Sequence, residues 1–218
     1  VGATGSGKST CLKLLCGLYE LKQGRITLGG KDIRDIPVGL LRSRMGMVMQ
    51  DVFLFSGDID RNIRLRDEFI DEEDIRKVVD EFGMRKIIRK FSGGFKSSVR
   101  ERGSNLSAGE RQLLSLARAV VRKPESLLVD EGTSNLDPSM EYEIQRVLNS
   151  VYGKTTTLVI AHRLSTVRRA DRIVVLHKNE VREVGTHTEL LAKKGIYARL
   201  YELQYRQQEV DPPHPGIP

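Results

Sequence analysis

The sequence predicts an α/β fold, a mostly parallel sheet with helices on both faces and an inserted α-helical subdomain. Short β-rich runs alternate with helical stretches, the order that makes a parallel sheet with crossover helices. Several apolar runs also end alike, in a polar group just past the strand, where open α/β sheets bind ligands. Between about Ser56 and Lys123 the texture turns helical, so this stretch reads as an insertion into the sheet domain. The expected organisation is a core (1–55), a helical subdomain (56–124), the rest of the core (125–206) and a disordered tail (207–218).

The elements follow in order. Val1 is the last residue of a strand and leads into the glycine-rich loop Gly2-Ala3-Thr4-Gly5-Ser6-Gly7-Lys8-Ser9. A helix follows, with Cys11, Leu12, Leu14, Leu15 and Leu18 apolar. Such a loop normally follows a complete strand, so elements upstream of Val1 are expected to be missing. Met45 to Met49 is a strand ending at Gln50. Asp71-Glu72-Glu73-Asp74 places acids at a helix start, and Ile75, Val78, Val79 and Phe82 follow at helical spacing. A second helix runs from about Ala108 to Arg122 on the apolar positions Leu113, Leu114, Leu116, Ala117, Val120 and Val121, and Pro124 stops it. Ser126 to Val129 is a strand ending at Asp130 and Glu131, and Thr157 to Ala161 is one ending at His162. Arg172 to Leu176 is a further strand ending at His177. Asp211 to Pro218 is too rich in proline for regular structure, and no internal repeat is present.

The chain has 218 residues, 39% hydrophobic and 30% charged, which argues against general disorder and for a sizeable core. Its net charge of +7 is spread along the chain rather than gathered in a block, so no nucleic-acid partner is expected. Cys11 and Cys16 share one helix at a spacing that suits neither a disulfide nor a metal clamp, and both are expected to be buried reduced thiols. No apolar run approaches the roughly 18 residues needed to span a bilayer, and no signal peptide is expected.

In the loop at 2–9, glycines let backbone N–H groups turn inward around phosphate oxygens, and the helix that follows aims its positive end at the same charge. Lys8 would reach the β- and γ-phosphates, Ser9 would ligate Mg²⁺, and Thr10 beside them is a further candidate nucleotide-binding residue. Asp130 has the form of a Mg²⁺-supporting carboxylate at the mouth of a buried strand, and Glu131 beside it is a candidate general base. Ser107-Ala108-Gly109-Glu110 is a capping box and equally an anion site at a helix N-terminus; spacing alone cannot choose. Asp137-Pro138 reads as an N-cap followed by proline in the first helical position. Gln50 and His162 are promoted by their strand-end positions, His162 as a donor to a γ-phosphate. His177, His187 and His214 are taken as surface or tail residues.

Together these motifs resemble one family, the nucleotide-binding domains of ATP-binding-cassette (ABC) transporters, and within it the exporters. The phosphate loop matches at Gly2 to Ser9, the glutamine loop at Gln50 with Asp51-Val52-Phe53-Leu54-Phe55-Ser56, and the signature at Leu106 to Gln112. The strand carboxylates match at Asp130 and Glu131, the D-loop at Ser134-Asn135-Leu136-Asp137, and the switch histidine at His162. Glu101-Arg102-Gly103 resembles the exporter loop that touches transmembrane coupling helices, and Gly185 to Leu191 with Tyr197 to Tyr201 resembles the exporter C-terminal end. The resemblance covers about residues 1 to 205. It implies a P-loop NTPase fold in which two such domains sandwich ATP head to tail. Each ATP would be held by one chain's phosphate loop and the other's signature, here Ser107 and Gly109, with Glu110 alongside.

Three departures matter. Ala108 and Glu110 stand where the family signature has Gly and Gln, so a heterodimer with unequal sites is expected as readily as a homodimer. The strands and aromatic residue that stack on adenine would lie upstream of Val1. No transmembrane segment is present, so one is expected in a domain fused upstream, with this chain on the cytoplasmic face of the membrane. The implied function is ATP hydrolysis powering export, with ATP and Mg²⁺ bound. The alternative is a soluble ABC-type ATPase clamping DNA or ribosomes. Its DNA-acting form is disfavoured because no heptad run lies between Lys8 and Ser107, and a tandem cassette would have to lie outside this chain. A binding-only regulatory subunit is disfavoured because Glu131 and His162 are both present.

Overall fold

The computed structural model describes residues 1–204 except 66, 68, 82, 83, 90, 132–136, 162 and 163, with the backbone alone at 86, 87, 164, 165 and 204. Helices and strands run α1 (Lys8–Leu15), β1 (Thr27–Leu28), β2 (Lys31–Asp32), α2 (Val38–Ser43), β3 (Met45–Val48), β4 (Gly57–Asp58), α3 (Ile59–Arg64), α4 (Glu72–Glu81) and α5 (Arg85–Ile88). They continue with β5 (Ser98–Val99), α6 (Ala108–Val120), β6 (Ser126–Asp130), α7 (Pro138–Val151) and β7 (Thr156–Ile160). The last are α8 (Leu164–Arg169), β8 (Ile173–His177), β9 (Glu180–Gly185), α9 (His187–Ala192) and α10 (Ile196–Gln204). The chain forms two compact units, Val1–Leu21 with Ile160–Pro218, and Lys22–Val159.

The larger unit is built on a sheet ordered β3-β6-β7. β3 and β6 pair in parallel with Val48 opposite Val129. Leu127, Leu128 and Val129 are buried in succession, as expected of a parallel strand covered on both faces. Helix α6 packs on β3 at Gly46, where a β-carbon would lie 2.5 Å from the Ala119 carbonyl oxygen and 3.0 Å from Leu127 Cδ1. Glycine is what allows the helix this close. One apolar core takes in Val48, Leu127 and Val129 of the sheet together with Ile75, Val78, Val79 and Met84 of the helical stretch. Helix α4 buries Ile75, Val78 and Val79, and its outer face carries i,i+4 ion pairs Arg76–Glu72 and Lys77–Glu73.

In the smaller unit, β8 and β9 form an antiparallel hairpin. Its tip, Lys178 and Asn179, has φ of 52° and 63°, the pair of left-handed residues a two-residue hairpin turn requires. Val1 lies along β8: its amino group donates to Val174 O and the Leu176 N–H donates to Val1 O, both at 2.9 Å. That alternation is the pattern of a parallel ladder and agrees with Val1 as a strand residue. Helix α9 opens on a capping box between Thr186 and Glu189. The Glu183 carboxylate accepts from the Ile196 and Tyr197 N–H groups at 2.7 and 3.0 Å, which seats the start of α10.

Three expectations need correction. Cys11 is exposed and only Cys16 is buried, because Cys11 faces away from the buried side of α1 marked by Leu12. Leu18 lies past the end of α1 and is exposed rather than part of its apolar stripe. His187 is half-buried, with Nδ1 2.7 Å from the hydroxyl of the buried Tyr197 and the Tyr201 ring tilted against it at 5.4 Å, so it belongs to an aromatic cluster and not to the surface.

Candidate functional site

The glycine loop turns back on itself before α1. The Ser6 N–H donates to the Ala3 carbonyl at 3.1 Å, and Gly7, with φ of 92°, forms the N-cap of the helix. Gly2 allows a close approach: a β-carbon there would overlap the Leu176 carbonyl oxygen and lie 2.7 Å from Ser6 Oγ. Lys8 Nζ donates to the Gly2 and Ala3 carbonyls at 2.7 and 2.9 Å, which draws its ammonium over the loop. Ala3, Thr4 and Gly5 form the exposed rim, with Thr10 exposed on the helix and Ser9 half-buried. No acid occupies the first turn of α1, so its positive end is not neutralised from within. Ser6 Oγ is buried at the floor with no partner among the described residues. An anion of phosphate geometry fits this cradle of a cation, an orphaned hydroxyl and a bare helix end.

The carboxylates sit in the larger unit. Because Val48 is opposite Val129, Gln50 leaves β3 at the level where Asp130 and Glu131 leave β6, on adjacent strands about 4.8 Å apart. Asp130 and Glu131 are both buried and neither is without an interaction partner, whereas Gln50 is exposed. One amide and two carboxylates therefore share one edge of the sheet. His162 and Ser134 to Leu136 lie outside the described residues.

Helix α6 begins on Ser107. Its Oγ accepts from the Glu110 N–H at 3.2 Å, and the Glu110 carboxylate accepts from the Ser107 N–H at 2.8 Å, completing the capping box. The Glu110 carboxylate is thereby turned onto the backbone of its own helix. Arg111 donates to the Leu106 carbonyl at 2.6 Å, and Gly103, with φ of 66°, packs against Arg111 and Leu54. This ties the 101–103 turn to the helix. Asp137 caps α7 by accepting from the Ser139 and Met140 N–H groups, with Pro138 at the first helical position.

Sequence reasoning missed a clasp between α6 and the segment after Gln50. Arg118 donates from Nε to Asn62 O at 2.8 Å, from Nη1 to Phe53 O at 2.9 Å and from Nη2 to Asn62 Oδ1 at 3.1 Å. Asn62, itself buried, accepts from the Phe55 N–H and donates to the Phe55 and Asp58 carbonyls. Desolvation pulls the Arg118 guanidinium down to about 10. Leu54 is buried between Phe53 and Phe55, which stand exposed edge to face at 5.1 Å. The signal available was an arginine inside the apolar run Leu116 to Val121, where a cation needs a reason.

Among the described residues no cluster of His, Cys, Asp or Glu could hold a metal by itself, and no helix is long and apolar enough to cross a membrane. A family model described as ABC transporter matches residues 1–134. The chain is 46% identical over 208 residues to the probable multidrug resistance ABC transporter ATP-binding/permease protein YheH of Bacillus subtilis, covering 95% of this chain and 31% of that protein. It is 45% identical over 204 residues to the multidrug resistance-like ATP-binding protein MdlB of Buchnera aphidicola, covering 94% of this chain and 35% of that one. The chain thus spans about a third of the length of the curated relatives it matches. Among solved structures, a bacterial Atm1-family ABC exporter with ATP bound superposes with a TM-score of 0.85 at 36% identity, covering 94% of this chain and 36% of that one.

Proposed function

The chain belongs to the ABC transporter family, and from that premise we propose that it binds ATP with Mg²⁺ and hydrolyses it to power export of a substrate across a membrane. The phosphate loop carries this assignment: Lys8 held over the loop, the buried Ser6 hydroxyl and the unneutralised start of α1 converge on one anion. Ser9, Gln50 and Asp130 offer hard oxygen donors, the set that suits Mg²⁺ when phosphate oxygens and water complete its shell. Mg²⁺ bound there would neutralise charge on the β- and γ-phosphates.

Glu131 takes a proton from the water attacking the γ-phosphorus. Lys8 and the loop amides from Gly5 to Ser9 stabilise charge developing on the phosphate oxygens, and His162 donates to the γ-phosphate. Ser107 and Gly109 face the nucleotide held by a second ABC domain, with Asp137 near the shared boundary. Relatives named for multidrug resistance, one of them an ATP-binding/permease protein, support a transmembrane domain in the same polypeptide, with this chain on its cytoplasmic face. They also favour export over the soluble clamp. The exposed pair Phe53 and Phe55 offers that domain an apolar foothold beside Gln50.

The intact protein reconstituted in vesicles should hydrolyse ATP only while Mg²⁺ is supplied. Turnover that persists after chelation of divalent cations would remove Ser9, Gln50 and Asp130 from their roles. The altered signature, Ala108 and Glu110, supports a partner with a complementary site. Adding that partner should raise turnover well above that of the homodimer, and equal rates would count against unequal sites.

A further inference from the structure

Gly109 is buried at the second position of α6, and a β-carbon there would overlap Met140 Cγ and come within 3.1 Å of Met140 Cβ. Met140 is 5% exposed, lies in the first turn of α7 and donates its N–H to the Asp137 cap. Ala108, one residue earlier, is half-buried and carries its methyl without difficulty. The glycine requirement is therefore local to the face of α6 that touches α7. A glycine at a helix start next to a nucleotide is usually ascribed to close approach of phosphate. Here the neighbour that forbids a side chain is a methionine of the same chain.

We infer that Met140 is a positioning residue: it sets the closest approach of α6 to α7, and Gly109 is glycine because Met140 fills the space. The two helix starts are thereby locked side by side. One presents Ser107, and the other begins at the Asp137 cap, a short segment after Glu131. A shift of the signature on meeting a nucleotide is passed to the Asp137 cap of α7 through the contact between Gly109 and Met140. The functional half of this inference rests on the signature role proposed above; the packing half does not.

The test compares the intact protein with its Gly109→Ala, Met140→Ala and doubly substituted forms, measuring thermal midpoint, kcat and affinity for a fluorescent ATP analogue. Alanine is the better helix former, so Gly109→Ala without a clash would raise the midpoint. With the clash it lowers the midpoint, or prevents folding, and lowers kcat on the order of a hundredfold while the phosphate loop's affinity for the analogue is kept. In the Met140→Ala background the same substitution should raise the midpoint and restore kcat, because its methyl enters the space vacated by the methionine. A midpoint that rises on Gly109→Ala alone, or a double variant no better than Gly109→Ala, overturns the inference. If Ser107→Ala and Gly109→Ala both leave kcat untouched while the midpoints follow the expected reversal, the packing stands and the signature role fails.

Discussion

Glu131→Gln should abolish ATP turnover while ATP binding and closure of two domains survive. The substitution keeps shape and volume, which matters for a side chain only 2% exposed, and removes the one property required of a general base. Positioned proton transfer is worth about 10²–10⁴-fold, so kcat should fall by at least that factor. Affinity should hold, because in the proposed site phosphate contacts would come from the loop at Gly2 to Ser9 and not from Glu131. The measurement is steady-state phosphate release set against equilibrium ATP binding on the same sample. Asp130→Asn provides the contrast. If Asp130 supports Mg²⁺, its loss should weaken Mg²⁺-dependent binding as well as turnover, a KM effect that Glu131→Gln lacks. Retained turnover in Glu131→Gln would take the proton-accepting role away from this residue.

Much of the candidate site is legible in the sequence because its signals are local. The loop Gly2 to Ser9 declares itself through glycine spacing, and Asp130 and Glu131 through an apolar run that stops abruptly. The capping box of Ser107 and Glu110 and the Asp137–Pro138 start are also local, and the structure contains both caps. What sequence leaves dark is tertiary. Nothing in the order of residues says that Gly109 meets Met140 or that Gly46 meets Ala119, since those contacts depend on how α6 lies on its neighbours. Spacing also leaves Cys11 and Leu18 ambiguous: Cys11 lies within α1 on the side away from the buried Leu12, and Leu18 would follow the stripe only if the helix continued, whereas α1 stops at Leu15. His187 misleads for the opposite reason, because a polar side chain near a turn reads as surface until a tyrosine from the next helix covers it.

Arg118→Met tests whether the clasp between α6 and the segment after Gln50 holds the larger unit together. Two effects oppose each other. The guanidinium is desolvated, pulled down to about 10, and its hydrogen-bond acceptors are two carbonyls and an amide oxygen with no carboxylate among them, so an apolar replacement relieves a burial cost. Against this, Asn62 O lies in the last turn of α3, where carbonyls have no partner within the helix and the helix dipole favours a cation. Removing Arg118 strands the carbonyl of Asn62, a residue only 1% exposed, and takes the donor from Phe53 O. Stranding a buried acceptor costs roughly 1–3 kcal/mol, and the remaining contacts, including the guanidinium over the Phe55 ring at 5.9 Å, add to it. Loss should therefore win by about 2–4 kcal/mol, a fall in thermal midpoint of about 2–4 °C per kcal/mol for a domain of this size. Arg118→Lys should recover less than half, because an ammonium cannot reach Asn62 through two nitrogens at once. A midpoint unchanged or raised in Arg118→Met would mean that desolvation outweighs the clasp, and the hold on the arm carrying Gln50 would then be assigned to Asn62 and Leu54.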